Sequence, residues 1–188
     1  MSKEKQKSIL KKIRQNLEDN ITKIENRTDI NDDEKVLRIV KTFSATCAAI
    51  ATQPIPGWDI FPLTAIQAYM GSRVASIRGI PISESKTGEI IKEILGVVGL
   101  GMLGQNFVLT AYKIGIPGLG GFMTIPLVYG ATYAIGRVMD IYFIKKKKKE
   151  VINPDELKKM WKKMKKEGTD LGKKQKDKIW KNKDDIKA

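Results

Sequence analysis

The sequence predicts an all-α fold, and three observations predict it. No alternating apolar–polar run of useful length occurs anywhere in the chain. Apolar residues recur instead at helical steps, beginning with Ile9, Ile13, Leu17, Ile21 and Ile24. The triplet Ile-Pro-Gly is written twice, at 55–57 and 116–118, each time between long apolar stretches. Proline cannot continue a helix and glycine accepts backbone angles closed to other residues, so each triplet marks a corner. The expectation is two helical hairpins, one turning at Pro54, Pro56 and Gly57, the other at Pro117, Gly118 and Gly120. An N-terminal amphipathic helix (residues 1–30) precedes this body (34–144), and a lysine-rich tail (145–188) follows it.

Each element has its own signals. Residues 3–27 carry a narrow apolar stripe between lysines and acids. The stretch RTDINDDEK breaks that helix, and Asn31 or Asp32 caps the next, with acids suited to the positive end of its dipole. From Val36 to Ala51 the residues are apolar and small. A helix from about Asp59 ends at Gly79, a natural C′ glycine followed by Pro81. Ser83 or Ser85 opens the third apolar helix, which runs to the neighbourhood of Lys113. A long apolar run from Gly121 to Ile144 follows, interrupted by Pro126. In the tail, Asn153 suits a cap, Pro154 the first helical position, and Asp155 and Glu156 the first turn. Leu157, Met160, Trp161 and Met164 then share one face, over a helix of 154–167 that Gly168 is expected to stop. Beyond it only Ile179 and Trp180 are anchors, and this last stretch is expected to be disordered on its own.

At 188 residues the chain holds one ordinary domain with extensions. It has no histidine and one cysteine, Cys47, which excludes an internal disulfide, a Cys/His zinc site and histidine acid–base chemistry. Cys47 itself sits on an apolar face and reads as a small buried hydrophobe. No nucleophile–base pair or metal-ligand set is visible, so no enzyme, no catalytic residue and no cofactor are expected. Gly99, Gly101 and Gly104 spell GxGxxG, but no strand pattern precedes them and no acid follows until Asp140. They read as glycines for helix packing. Asp59, Arg73 and Asp140, with Arg78 and Arg137, are the charges within or beside the apolar body. Pairing at helix ends is the expected use for them, with an ion relay as the sharper alternative.

The net charge of +14 is unevenly spread, at +3 over residues 1–41, +1 over 42–144 and +10 over 145–188. Such a distribution points to an anionic partner for the tail. The 19 uncharged residues between Glu93 and Lys113, and the run from Gly121 to Ile144, approach the length of a membrane span. Lys92 and Lys145, Lys146, Lys147, Lys148 and Lys149 flank them, which predicts a hairpin in the cytoplasmic membrane with both termini in the cytosol. Gln105, Asn106, Pro126 and the many glycines favour the competing reading, a water-soluble cytoplasmic bundle. Small residues such as Gly130 and Ala134 suit close helix contacts, within the chain or with a second copy in a homo-oligomer. For the tail, the lysines with Leu157, Met160, Trp161 and Met164 form an interfacial helix for an anionic lipid surface. An acidic protein stays open as a partner, and nucleic acid is the weaker reading, because the tail has no arginine for bidentate contacts.

The stretch PIPGWDIFPLTAIQAYMGSRVASIRGIP resembles a known family pattern, P-x-P-x-x-D … L-x-x-x-Q-x-x-M … Y-G-x-P. The matching positions are Pro54, Pro56, Asp59, Leu63, Gln67, Met70, Gly79 and Pro81, with Lys113, Ile116, Pro117, Gly118 and Gly120 similar in the second half. The family is the bacterial domain of unknown function 697, a helical membrane domain that accompanies Era-like GTPases. The resemblance covers roughly residues 34–144 and implies a membrane-associated helical module working with a small GTPase. This chain carries no GTPase motif and has Arg78 where the family often has an aromatic, so the GTPase would act in trans.

Overall fold

The computed structural model describes residues 3–52, 61–97 and 120–183, the side chains of 1–7, 9, 61, 62 and 120 excepted. These residues form six helices and no strand: α1 (Lys3–Glu25), α2 (Asp32–Ala51), α3 (Phe61–Ile77), α4 (Glu84–Val97), α5 (Gly120–Lys147) and α6 (Pro154–Lys181). The all-α expectation therefore holds for the described part of the chain. Both Ile-Pro-Gly corners, with Asp59 and the glycines at 99, 101 and 104, lie outside the described residues. Gly120 is the first residue of α5.

The local signals set the helix ends. Asn31 Oδ1 accepts from the Glu34 amide at 2.9 Å and starts α2. Ser83 Oγ accepts from the Lys86 amide at 3.2 Å at the head of α4. Asn153 Oδ1 accepts from the Asp155 amide at 2.8 Å, with Pro154 opening α6. After α3, Gly79 takes φ +74° while its amide and that of Ile80 donate to Ser76 and Ala75. A left-handed residue closed by two such reversed bonds is a Schellman stop.

α5 is apolar nearly all round, and a helix of that kind needs cover on several sides. α2 lies antiparallel to it, with Thr52 beside Gly121 and Val40 beside Gly136. α3 runs parallel to it, with Gly71 against Met139 and Met70 against Gly136. Tyr129, Tyr133 and Phe143 of α5 are buried in the resulting core, as are Phe43 of α2 and Ile66 of α3. Phe43 and Tyr69 meet edge to face, 5.5 Å between centroids, so α2 and α3 pack on each other. α1 contributes Ile13, Leu17 and Ile21, the stripe that its spacing predicts.

The C-terminal region corrects two expectations. α6 does not stop at Gly168 but continues to Lys181. It is also no free tail, because it folds back along α5 as the second arm of a hairpin that turns at residues 148–153. Gly168 lies on the ring of Tyr133, Gly172 on Pro126 and Tyr129, and Gly130 on Thr169 and Lys165. The glycine that looks like a stop is there because a side chain would collide with the neighbouring helix. Ile179 is buried, and Trp180 stacks edge to face with Phe122 at 5.4 Å, so the last turns are anchored too. Pro126 likewise interrupts nothing, since α5 passes through it.

The expected span over 121–144 is a third correction. No described helix is long and apolar enough to cross a membrane. α5 is the centre of a helical core, and the other proposed arm falls mostly outside the described residues.

The close approach of α5 and α6 can be tested at Gly130. A Cβ there would start 2.9 Å from the Thr169 nitrogen and 3.0 Å from the Lys165 carbonyl oxygen, both backbone atoms that cannot swing aside. Gly130→Val should destabilise the fold by roughly 1–3 kcal/mol in urea unfolding. A variant as stable as the parent would contradict the packing.

Candidate functional site

The predicted binding residues divide into two sets that face opposite ways. Leu157, Trp161 and Met164 are buried, at 5%, 5% and 9% exposure, and Met160 is partly buried. Their face points at α5, so it is spent on the core and is no lipid-facing surface in this fold. This corrects the expectation of an interfacial helix with Trp161 at its centre. The lysines are outside. Lys158, Lys159, Lys162, Lys163 and Lys166 are exposed, as are Lys146, Lys147, Lys148 and Lys149.

The last turn of α5 carries Lys145, Lys146 and Lys147, where the negative end of its dipole favours them. Lys149 then adopts φ +57°, a left-handed conformation unusual for a residue with a side chain. Its amide donates to the Lys146 carbonyl at 3.1 Å, and that of Glu150 donates to the Lys145 carbonyl at 2.9 Å. This is the same closing motif as at Gly79, with lysine in the glycine position. Lys145 Nζ reaches Glu156 Oε2 at 2.6 Å and ties the two arms across the turn. Lys147 Nζ donates to the Arg78 carbonyl at 3.1 Å and ties the turn to the end of α3.

Acids at the turn and the head of α6 pair with part of this surface. Glu156 pairs with Lys145, Asp155 with Lys158 at 3.5 Å, and Glu150 with Lys148 at 4.0 Å. Lys149, Lys159, Lys162, Lys163, Lys165 and Lys166 make no ion pair with any described residue. The outcome is a surface of ammonium groups, many without an ion pair to a described residue, running from the turn along the exposed side of α6. Such groups act as point charges and suit any array of phosphates.

The other candidate residues hold the fold together. Arg73 makes a bidentate pair with Glu25, joining α3 to α1, with Nε at 2.9 Å from Oε1. Gln67 Nε2 donates to Thr132 Oγ1 at 3.1 Å in the interior, joining α3 to α5. Asp140 is buried at 3% exposure and accepts from Arg78 Nε at 2.6 Å and Nη2 at 3.1 Å. Arg137 approaches the same carboxylate at 3.6 Å, and Asp33 holds the far side of Arg78 at 2.8 Å. Burial lowers the pKa of Arg78, but the bond to Asp140 and the nearby charges outweigh it and leave the value raised. A cavity of about 460 Å³ lies beside this cluster, between the head of α2 and the end of α5. Cys47 is fully buried, and burial pushes its thiol up to about 12, so it behaves as the small hydrophobe its setting suggests. Among the described residues no group of Cys, Asp or Glu is placed to hold a metal ion.

Sequence reasoning missed the contacts that seat α6. Tyr133 donates to Glu167 at 2.5 Å, and Gly168 with Gly172 forms a small-residue ridge. The spacing G-x-x-x-G at 168 and 172 was the available signal.

The chain is 35% identical over 105 residues to magnetosome membrane protein 22 of Magnetospirillum gryphiswaldense. The match covers 53% of each, so the chain spans about half the length of that curated relative. No protein-family model matches the chain. No solved structure matches it either.

The Asp140 cluster gives a contrast in magnitude. Asp140→Asn leaves Arg78, only 11% exposed, without its carboxylate and should cost about 3 kcal/mol in urea unfolding. Asp33→Asn removes a carboxylate that is 79% exposed and should cost under about 0.5 kcal/mol.

Proposed function

We propose that this chain is a non-enzymatic, membrane-associated helical protein that docks on an anionic leaflet through the lysine surface of α5 and α6. One observation carries this reading. The apolar side of α6 is consumed by the core, so what the helix offers outward is lysine in excess of acid. Near an anionic surface each lysine contributes about 1 kcal/mol, so a handful suffices for firm but salt-sensitive attachment. The relative's name, a membrane protein, agrees with this location. A leaflet asks for no stereospecific reader, and the region from 145 onward supplies lysine without arginine. The resemblance to the GTPase-associated domain supports a small GTPase as a partner in trans, with docking bringing the pair to one surface.

The test uses the purified full-length chain with vesicles of phosphatidylcholine alone or mixed with phosphatidylglycerol. Co-sedimentation is expected with the anionic vesicles only, weakening as salt rises. The triple variant Lys159→Glu, Lys163→Glu, Lys166→Glu should lose roughly a hundred-fold in affinity while keeping its helical circular dichroism. Equal binding to neutral vesicles, or none to either, would refute the reading. Tight binding to RNA or ribosomes in place of vesicles would support a soluble adaptor instead.

A further inference from the structure

The docking reading leaves open which part of the basic surface enters the bilayer. We propose that the α5–α6 turn is an inserting tip, with Val151 entering the boundary between headgroups and acyl chains while Lys146, Lys148 and Lys149 hold lipid phosphates. This inference rests on the function proposed above.

Val151 is 87% exposed, the most exposed of the large apolar residues in the described chain. A single exposed apolar residue is ordinary on its own, so its setting has to carry the argument. Its neighbour Ile152 packs back against the core and anchors the turn, which leaves Val151 no structural task. Val151 follows five consecutive lysines and a single acid, in the turn between the two arms of a hairpin. An exposed apolar residue beside exposed lysines matches the layering of an anionic leaflet, with charge outside and hydrocarbon within.

Lys149 is the second observation. Its left-handed backbone angle is one that glycine adopts freely and lysine adopts at a cost. Its side chain forms no ion pair with a described residue that would repay that cost within the fold. A lysine at that position, exposed and without an ion pair to a described residue, is available to an anionic ligand outside the chain. The turn is also held ready for it, by the paired closing bonds, the Asn153 cap, and the ties from Lys145 to Glu156 and from Lys147 to Arg78. A preorganised tip loses little conformational freedom on docking.

Labelling decides the matter, since Cys47 is fully buried and an introduced cysteine takes the dye alone. Full-length Val151→Cys and Lys163→Cys would each carry an environment-sensitive fluorophore. On phosphatidylglycerol vesicles the label at 151 should shift to the blue and be quenched by acyl-brominated lipid, while that at 163 stays aqueous. Val151→Asp should bind these vesicles roughly ten-fold more weakly, and Val151→Leu at least as tightly as the parent. Lys149→Gly should bind several-fold more weakly yet unfold at a higher temperature, an opposition that a merely structural lysine would not produce. Vesicle binding with an aqueous label at 151, and with Val151→Asp unimpaired, overturns the tip and leaves flat docking along α6. Absence of vesicle binding by the parent chain overturns the docking reading itself and the tip with it.

Discussion

The structure depends on how closely α5 and α6 approach one another. Gly130, Gly168 and Gly172 remove side chains where the two helices meet, and Tyr129, Tyr133 and Trp161 fill the space around them. Dispersion between close surfaces falls steeply with distance, so a missing Cβ at three contacts lets many other atoms reach van der Waals range. Tyr129 and Tyr133 are buried whole, and Gln175 and Glu167 meet their hydroxyls. This contact turns α6 so that its apolar stripe disappears and its lysines face outward. Along α6, charge is therefore what the fold displays, and apolar area is what it hides.

The same division orders the charged residues. Acids and arginines in the body are paired across helices, Glu25 with Arg73 and Asp140 with Arg78, and they fix how α1, α2, α3 and α5 sit. A bidentate guanidinium–carboxylate contact has one geometry, so these pairs add register as well as attraction. Lysines on α6 are left over by this arrangement, and their excess is a property of the surface. The two sets differ in chemistry, with Arg73 and Arg78 largely covered between helices and the lysines of α6 mostly exposed.

Local chemistry was legible in the sequence, and long-range contact was not. Asn31, Ser83, Asn153 with Pro154, and Gly79 each act on backbone groups a few residues away, so their roles can be read from short stretches. The stripe of Ile13, Leu17 and Ile21 was readable for the same reason. Gly168 was misread because a helix-ending glycine and a helix-contacting glycine look alike until Tyr133 is placed beside it. The run from 121 to 144 was misread because a helix covered largely by protein and one covered by lipid have similar compositions. Asp140 appeared as a functional candidate because its partner Arg78 lies 62 positions away.

The bond from Lys147 to the carbonyl of Arg78 bears on how much of the positive charge is free. α3 and α5 run in the same direction and end side by side, so two negative helix poles share one corner of the molecule. Two like poles repel unless a cation stands between them, and Lys147 occupies that place. Part of the lysine run is thus an internal counterion, committed to the protein's own dipoles before any outside anion arrives. A tally of lysines in the sequence accordingly overstates the field that a partner would feel.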